Sequence, residues 1–337
     1  MNANPSRLIG TWLLFVAFLI YIMIGIGGYT RLSGSGLSMV KWKPATGWLP
    51  PLSELAWEEE FSNYKEKPQY KEVNTQMDLE GFKEIYYPEY LHRVFGRLIG
   101  LAYFLPFFIF VITKKLKGTK MWAYLFIGLL GGIQGGVGWF MVKSELIDDP
   151  QVSAYRLALH LCLAGLLLWL CFLRGYREVF NQFEPLKNSL KVFLAFIALQ
   201  ITTGAFVSGQ QAGVAYRAAM TFNTDVYWVE EMGLKNITEN LATILMVHIT
   251  GGMLIFLFAL IISVRHFITH SNKKPFVFFL ISVVVQVGLG WQIAAHYIPR
   301  SLTFSLTHQL IAFIVLLCLT ICAILSQNPP KVPLNKA

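Results

Sequence analysis

Eight apolar stretches, each long enough to cross a bilayer, are the feature that most constrains this chain. They lie at about 8–28, 89–112, 121–141, 155–173, 189–208, 241–264, 275–294 and 303–325. A helix needs roughly 20 apolar residues to span the hydrocarbon core. Only helices and closed barrels satisfy their backbone polar groups in lipid. We therefore expect an all-α, multi-pass membrane protein with eight transmembrane helices.

The net charge of +9 follows these stretches and does not indicate a nucleic-acid partner. Four lysines without an acid separate the second stretch from the third, and further basic residues follow the fourth, sixth and eighth stretches. Short loops rich in Lys and Arg stay on the cytoplasmic side. Only Arg7 precedes the first stretch, and no Arg- and Ser-rich presequence is present. We expect the bacterial cytoplasmic (inner) membrane, with both termini cytoplasmic and with lipid as the surroundings.

The two halves of the chain resemble each other. A Gln-x-Gly-x-Gly-Trp motif ends the third stretch at 134–139 and recurs in the seventh at 286–291. The histidines follow the same spacing, so that His92 corresponds to His248 and His160 to His308. We predict two tandem-repeat four-helix bundles, at 1–180 and 181–337, related as parallel repeats.

Four histidines are the candidate metal ligands. Each is expected in the first two turns of an even-numbered helix, near one face of the membrane. Imidazole is a usual ligand of haem iron, and helix-bundle cores are where such sites form. We predict one iron between His92 and His160 and another between His248 and His308. The residue four positions after each histidine is small, which would leave room for a flat ring: Gly96, Ala164, Gly252 and Ala312. Packing or hydrogen bonding by these histidines is the simpler alternative.

Glu89 is the candidate catalytic residue, because charge at membrane depth is costly and usually functional. Pro88 predicts that a helix begins there, so Glu89 and His92 would share one face of its first turns. The matching position in the second half is Leu245, which suggests that the first half reacts and the second half holds a cofactor or transfers electrons. Arg93 and Arg97 could bind carboxylates. The alternatives are that Glu89 only begins the helix and that the arginines extend to the interface.

The loop of about sixty residues after the first stretch is too long for a simple connector. Its tryptophans and prolines predict an ordered cap containing short helices.

Several segments of the chain carry a resemblance to a known family. Within the loop they are Thr30–Ser38 (TRLSGSGLS), 42–51 (WKPATGWLPP) and the pattern Glu60-Phe-x-x-Tyr-Lys in 60–71, and after it they are Glu89–Arg93 (EYLHR) and Gly96–Gly100 (GRLIG). Together these segments resemble the haem A synthase family of the CtaA/Cox15 type. The likeness covers nearly the whole chain. It matches the branch that lacks a cysteine pair in the first outer loop.

The resemblance implies that haem O is oxidised at its C8 methyl group to the formyl group of haem A, through an alcohol. It implies substrate haem O at His92 and His160, a haem B cofactor at His248 and His308, and a catalytic role for Glu89. A haem O synthase would supply the substrate. The electron donor and a homo-oligomeric state stay open. A di-haem b-type electron carrier and a haem transporter are the alternatives, and both fit the one-sided histidines and the Glu89 asymmetry less well.

Overall fold

A computed structural model describes residues 5–43, 46–148, 152–215, 227–269, 272–296 and 301–326. Within these ranges the chain is helical and has no strand, as predicted. Eight helices in this described part of the chain are long and apolar enough to span a membrane. The helices are α1 (Pro5–Leu32), α2 (Glu54–Lys65), α3 (Pro68–Glu72), α4 (Leu79–Ile112), α5 (Gly118–Asp148), α6 (Ala154–Phe180), α7 (Asn188–Gly209), α8 (Asn236–Glu239), α9 (Leu241–Thr269), α10 (Lys274–His296) and α11 (Leu302–Leu325), with short 3-10 helices at Ala212–Ala215 and Glu230–Lys235.

The chain divides into two compact units, Met1–Val179 and Phe180–Ala337. In the first unit, α4 packs against both α1 and α5. The backbones of α1 and α6 meet at Gly10 and Gly175, where a Cβ on either glycine would come within 2.9 Å of the other helix. In the second unit, α7 packs on α9, α9 on α10, α10 on α11, and α11 again on α7. Whether the units arose by duplication stays a prediction.

The long helices direct large apolar side chains outward. On α4 the exposed side chains include Leu98, Leu101, Leu105 and Phe108. A water-soluble protein rarely exposes so continuous an apolar surface. These helices therefore present their outer faces to lipid, and the chain is a multi-pass membrane protein.

Aromatic side chains fill the interior of the first unit. Trp12 of α1 is buried, and its ring lies 5.0 Å from that of Tyr103 and 5.5 Å from that of Phe110. The indole Nε1 donates to the backbone oxygen of Ala102 at 2.9 Å. A buried tryptophan needs a partner for this N–H, so the bond fixes α1 against α4.

Helix α4 begins ten residues earlier than the sequence suggests. Asp78 caps it by accepting from the backbone N–H of Gly81 at 2.8 Å, and Asp is a favoured N-cap residue. Pro88 consequently lies inside the helix, and the prediction that the helix begins there is wrong. His92 lies thirteen residues after Leu79, so its placement in the first two turns is also wrong.

The expected cap is present in the first unit. The loop between α1 and α4 contains α2 and α3, and its aromatic core consists of Trp57, Phe61, Tyr64, Phe82 and Tyr86. Burial raises the pKa of the Tyr64 hydroxyl, which donates to Gln69 Oε1 at 2.9 Å. The cap therefore packs directly on the first turns of α4.

Candidate functional site

Two histidines face each other in the second unit. The ring centroids of His248 on α9 and His308 on α11 are 6.3 Å apart, and the ring planes are inclined by 76°. A metal ion bonded to an imidazole nitrogen at about 2 Å on each side would separate two ring centroids by roughly 6 Å. The two rings are therefore spaced to bind one metal ion between them.

The first unit contains the other two histidines, His92 on α4 and His160 on α6. They lie close enough for their charges to interact. His92 precedes the end of its helix at Ile112 by 20 residues, and His160 precedes Phe180 by the same number. Counted from that end, the two residues occupy matching positions.

Each of the four imidazoles lies against a glycine of the preceding long helix. A Cβ on Gly27 would lie 3.0 Å from His92 Nε2. The equivalent distances to the Cε1 atom of the facing ring are 2.9 Å for Gly138 and His160, 3.0 Å for Gly204 and His248, and 2.9 Å for Gly290 and His308. Contacts this short leave no space for a side chain. The four glycines therefore determine how closely each imidazole approaches the neighbouring helix.

A glutamine lies one turn before the glycine in three of these contacts. Gln134 Nε2 is 3.2 Å from His160 Nε2 and donates to the His160 backbone oxygen at 3.1 Å. Gln286 Nε2 is 3.2 Å from His308 Nε2. We call a glycine, the residue four before it and the facing imidazole a histidine cradle.

The cradle of His248 has an additional polar group. Gln200 Nε2 lies 3.0 Å from His248 Nδ1 and donates to the His248 backbone oxygen at 2.7 Å. Thr203 Oγ1 lies 2.9 Å from the same Nδ1. This ring nitrogen therefore has two polar neighbours on α7.

The cradle of His92 lacks both groups. Met23 occupies the position four residues before Gly27, and Ile26 the position that corresponds to Thr203. A Cβ on Gly96 would lie 3.4 Å from the Met23 methyl group. In the second unit, a Cβ on Gly252 would lie at the same distance from Gln200 Nε2. In these two cradles the small residue after the histidine accommodates a side chain of the neighbouring helix, not the flat ring that we expected.

Buried polar atoms without partners remain at two cradles. Within the described part of the chain, His160 Nδ1, His308 Nδ1, Gln134 Oε1 and Gln286 Oε1 are buried and form no hydrogen bond. Such atoms are costly unless a ligand satisfies them. The described ranges contain no group of three or more His, Cys, Asp or Glu side chains placed for a metal ion. Pairs of imidazoles fit an iron whose remaining ligands come from a macrocycle, so the residues present fit a haem.

Part of α5 faces open space. A Cβ on Gly131 or Gly135, which are both exposed, would meet nothing within 4 Å among the described residues, so these glycines mark no close contact with another helix. A shallow apolar groove of about 410 Å³ lies on the surface of α5 and α6, and it is lined by Ile133, Gly136, Val137, Phe140, Arg156 and Leu159. The guanidinium of Arg156, one turn before His160, donates to Ser144 Oγ at 2.5 Å and lies over the ring of Phe140.

Glu89 is buried and directed to the cap. Ser38 Oγ donates to Glu89 Oε2 at 2.7 Å, and the Met39 backbone N–H donates to the same oxygen at 2.9 Å. Arg93 Nη2 donates to the other oxygen at 2.5 Å. A buried carboxylate needs such partners. The side chain therefore connects α4 to the loop that follows α1.

The two arginines also contact this loop. Arg93 donates to the backbone oxygens of Met39 at 2.8 Å and Lys41 at 3.1 Å, and Arg97 donates to that of Lys43 at 2.7 Å. Their guanidinium groups lie over the rings of Trp42 and Trp48 at 5.5 and 5.6 Å. Such cation–π contacts add to the hydrogen bonds. Glu89, Arg93 and Arg97 thus form one row on α4 that fastens the cap.

Sequence analysis missed the glycines, the glutamines and Arg156. Gln134 and Gln286 were recognised only as evidence of duplication. Three cradles share the sequence pattern Gln-x-x-x-Gly. In addition to the two Gln-x-Gly-x-Gly-Trp motifs, it occurs at Gln200 and Gly204 within QITTG. One helical turn between the two residues places both on one face, so this spacing could have identified them.

The chain is similar to proteins of one family along nearly its whole length. The model of the COX15-CtaA family, described as cytochrome oxidase assembly protein, matches residues 10–320. A heme A synthase of Azorhizobium caulinodans is 41% identical over 340 residues, which cover 95% of each chain. One of Wolbachia pipientis wMel is 38% identical, over 94% of this chain and 91% of the relative. One of Paracoccus denitrificans is 36% identical, over 89% and 82%.

Proposed function

This chain belongs to the COX15-CtaA family of cytochrome oxidase assembly proteins, and from that premise we propose that it is a haem A synthase. It is a membrane oxidoreductase that converts the C8 methyl group of haem O into the formyl group of haem A. The observation in the chain itself that carries this function is the facing pair of imidazoles, His248 and His308, 6.3 Å apart between ring centroids. Two such ligands suit a haem and not a bare metal ion.

The two units receive different haems in this proposal. His248 and His308 hold a resident haem B, which is supported by the spacing of their rings. His92 and His160 hold the substrate haem O, which is supported by the open space beside Gly131 and Gly135.

The reaction removes two hydrogens from a methyl carbon and adds one oxygen. A bound haem iron would mediate this oxidation and pass the electrons to a separate electron-transfer partner, because no side chain can attack an unactivated methyl group. His92 and His160 orient the substrate ring, and the cap above α4 excludes water from its edge. Fixed charges that face a developing charge stabilise a transition state. The buried carboxylate of Glu89, which is hydrogen-bonded to Ser38 and Arg93, stabilises positive charge that develops at the ring edge. It also takes part in transferring the proton that leaves the substrate.

Arginines hold the propionate groups of the substrate in this proposal. Arg93 and Arg97 are the candidates that the sequence suggests, although they also donate to backbone oxygens of the cap. We add Arg156, one turn before His160 on α6, although its guanidinium also donates to Ser144 Oγ and lies over the Phe140 ring. A planar guanidinium matches a carboxylate bidentately, and an arginine one turn before a ligand histidine lies within reach of a ring's edge.

The enzyme resides in the bacterial cytoplasmic membrane with both termini in the cytoplasm. Lys114, Lys115, Lys117 and Lys120 between α4 and α5 support this orientation, because basic loops stay on the cytoplasmic side. The cap and the first turns of α4 then lie on the outer face. A haem O synthase delivers the substrate, and a separate electron-transfer partner completes the redox balance.

Co-expression with a haem O source, in a host without its own haem A synthase, tests this function. The pyridine haemochrome of the membranes should show the band shifted by a formyl group. His248→Ala and His308→Ala should lose haem B absorbance from the purified protein, and His92→Ala should lose the product. His266→Ala, a histidine of α9 that stacks on Phe276, is the matched control. A parent protein that yields no formyl-shifted band would reject the synthase, and unchanged spectra in the His248 and His308 variants would reject the haem B site.

A further inference from the structure

The cradles differ in what they offer to the second nitrogen of each imidazole. An imidazole that binds a metal through one nitrogen carries its proton on the other. That N–H almost always donates to an acceptor, which fixes the tautomer and orientation of the ring. A hydrogen-bond acceptor beside the second nitrogen therefore marks an imidazole that is prepared for iron.

His248 has such an acceptor in Thr203. The Thr203 hydroxyl donates its proton to the Gln200 backbone oxygen at 2.9 Å. Its oxygen lone pairs are then available to His248 Nδ1, 2.9 Å away. With the proton on Nδ1, the lone pair lies on Nε2, the other ring nitrogen. This short chain of hydrogen bonds favours the tautomer that binds a metal through Nε2, and the Gln200 amide nitrogen, 3.0 Å from the same Nδ1, then keeps only its bond to the His248 backbone oxygen.

His160 and His308 have an acceptor in their glutamines. Each amide nitrogen lies 3.2 Å from a ring nitrogen, and each amide oxygen is buried without a partner in the described part of the chain. A half-turn of the amide exchanges its nitrogen and oxygen. The oxygen of Gln286 then accepts from the ring N–H, and that of Gln134 does the same when the amide gives up its bond to the His160 backbone oxygen. When the histidine binds iron, the previously unsatisfied amide oxygen and the second ring nitrogen therefore form a hydrogen bond with each other.

His92 has no equivalent acceptor among the residues that the structure describes. Met23 takes the place of the glutamine and Ile26 that of Thr203. A thioether is only a weak acceptor, and an isoleucine side chain accepts nothing. The contact with Gly27 is steric alone. Nothing on α1 therefore fixes the tautomer of this ring.

We propose, building on the function above, that Thr203, Gln134 and Gln286 are positioning residues that hold His248, His160 and His308 ready for iron, and that Met23 leaves His92 as the ligand that exchanges. The haem of the second unit then has two prepared ligands and stays bound. The haem of the first unit has one prepared ligand and one free ligand. Substrate enters and product leaves by breaking the bond to His92.

Removal of the acceptors in the second unit tests the first part. Thr203→Val and Gln286→Leu keep the size of the side chain and remove the acceptor. Each should lower haem retention by the purified protein about 10- to 100-fold and raise the reduction potential of its haem, because the ligand becomes less electron-rich. Thr203→Ser and Gln286→Glu should restore both values. Gln292→Leu, the same substitution elsewhere on α10, should change neither.

Addition of an acceptor to the first unit tests the second part. Met23→Gln should raise the retention of haem in the first unit about tenfold, measured by the rate of haem transfer to an apo-globin. Turnover should fall because product release slows. Phe18→Gln places the same amide on an exposed position of α1 and should leave the transfer rate unchanged.

The outcomes separate the two proposals. Unchanged retention and potential in Thr203→Val and Gln286→Leu, in a protein that holds haem, would overturn the positioning roles and leave the synthase intact. An unchanged transfer rate in Met23→Gln would overturn the exchange through His92. A parent protein that binds no haem in the second unit would instead reject the proposed function.

Discussion

The helix that carries His92 and the helix that carries His248 present different surroundings for the same side chain. Three residues before His92 stands Glu89, which is 3% exposed and bonded to the cap. Three residues before His248 stands Leu245, which is 4% exposed and packs in an apolar cluster with Ala212. Both positions are equally buried. One contains a charge and the other a hydrocarbon.

The helices that face these two histidines, α1 and α7, differ in polarity in the opposite direction. Beside His92, α1 offers the apolar side chains of Met23 and Ile26, whereas beside His248, α7 offers Gln200 and Thr203. The polar groups nearest His92 thus fasten a loop, and those nearest His248 contact its imidazole. Since buried polar groups need partners, each set fixes what it bonds to. The difference agrees with the proposal that the second unit retains its haem and the first unit encloses a substrate.

The largest expected effect is on turnover. Glu89→Gln keeps the shape of the side chain and removes its charge, so it should retain bound haem and lower haem A formation about 100-fold or more. Ser38→Ala removes one bond from the cap to this carboxylate and leaves the charge. Its activity should stay near that of the parent. If Ser38→Ala is as defective as Glu89→Gln, Glu89 serves only to fasten the loop.

A smaller effect is expected on stability when the first unit is given the residues of the second. Glu89→Leu alone leaves the guanidinium of Arg93 without its carboxylate and should cost about 3–5 kcal/mol. Adding Arg93→Ile copies the Leu245 and Ile249 pair and should recover much of that loss. Thermal unfolding in detergent measures both. A single variant as stable as the parent would contradict the ion pair.

The smallest expected effect concerns the contact between each histidine ring and the glycine of its cradle. Gly290→Ala places a Cβ 2.9 Å from His308 Cε1, so the ring must shift, and haem retention in the second unit should fall about tenfold. Gly288→Ala, on the same helix, meets nothing within 4 Å among the described residues and is the control. Equal haem-to-protein ratios in the two variants would show that the cradle tolerates a methyl group.

Much of the architecture could be predicted because it depends on local pattern. Runs of apolar residues define the eight spans, and the recurrence of His92 and His160 as His248 and His308 identified the candidate ligands. The beginning of α4 was misjudged, since Pro88 looked like a start while Asp78 carried the stronger capping signal. A proline inside a helix is costly, and only the packing of the cap on that turn makes the longer helix favourable.

The sequence by itself determined that this chain is helical and membrane-embedded, because hydrophobic length alone decides those properties. Only the tertiary structure decided what the buried polar groups do. The bonds from Glu89 and Arg93 reach residues about fifty positions away, and the acceptor for His248 comes from a different helix. The spacing of residues along one helix shows which side chains share a face, but it does not show which other helix that face meets. Those partners follow from which faces meet when the helices pack.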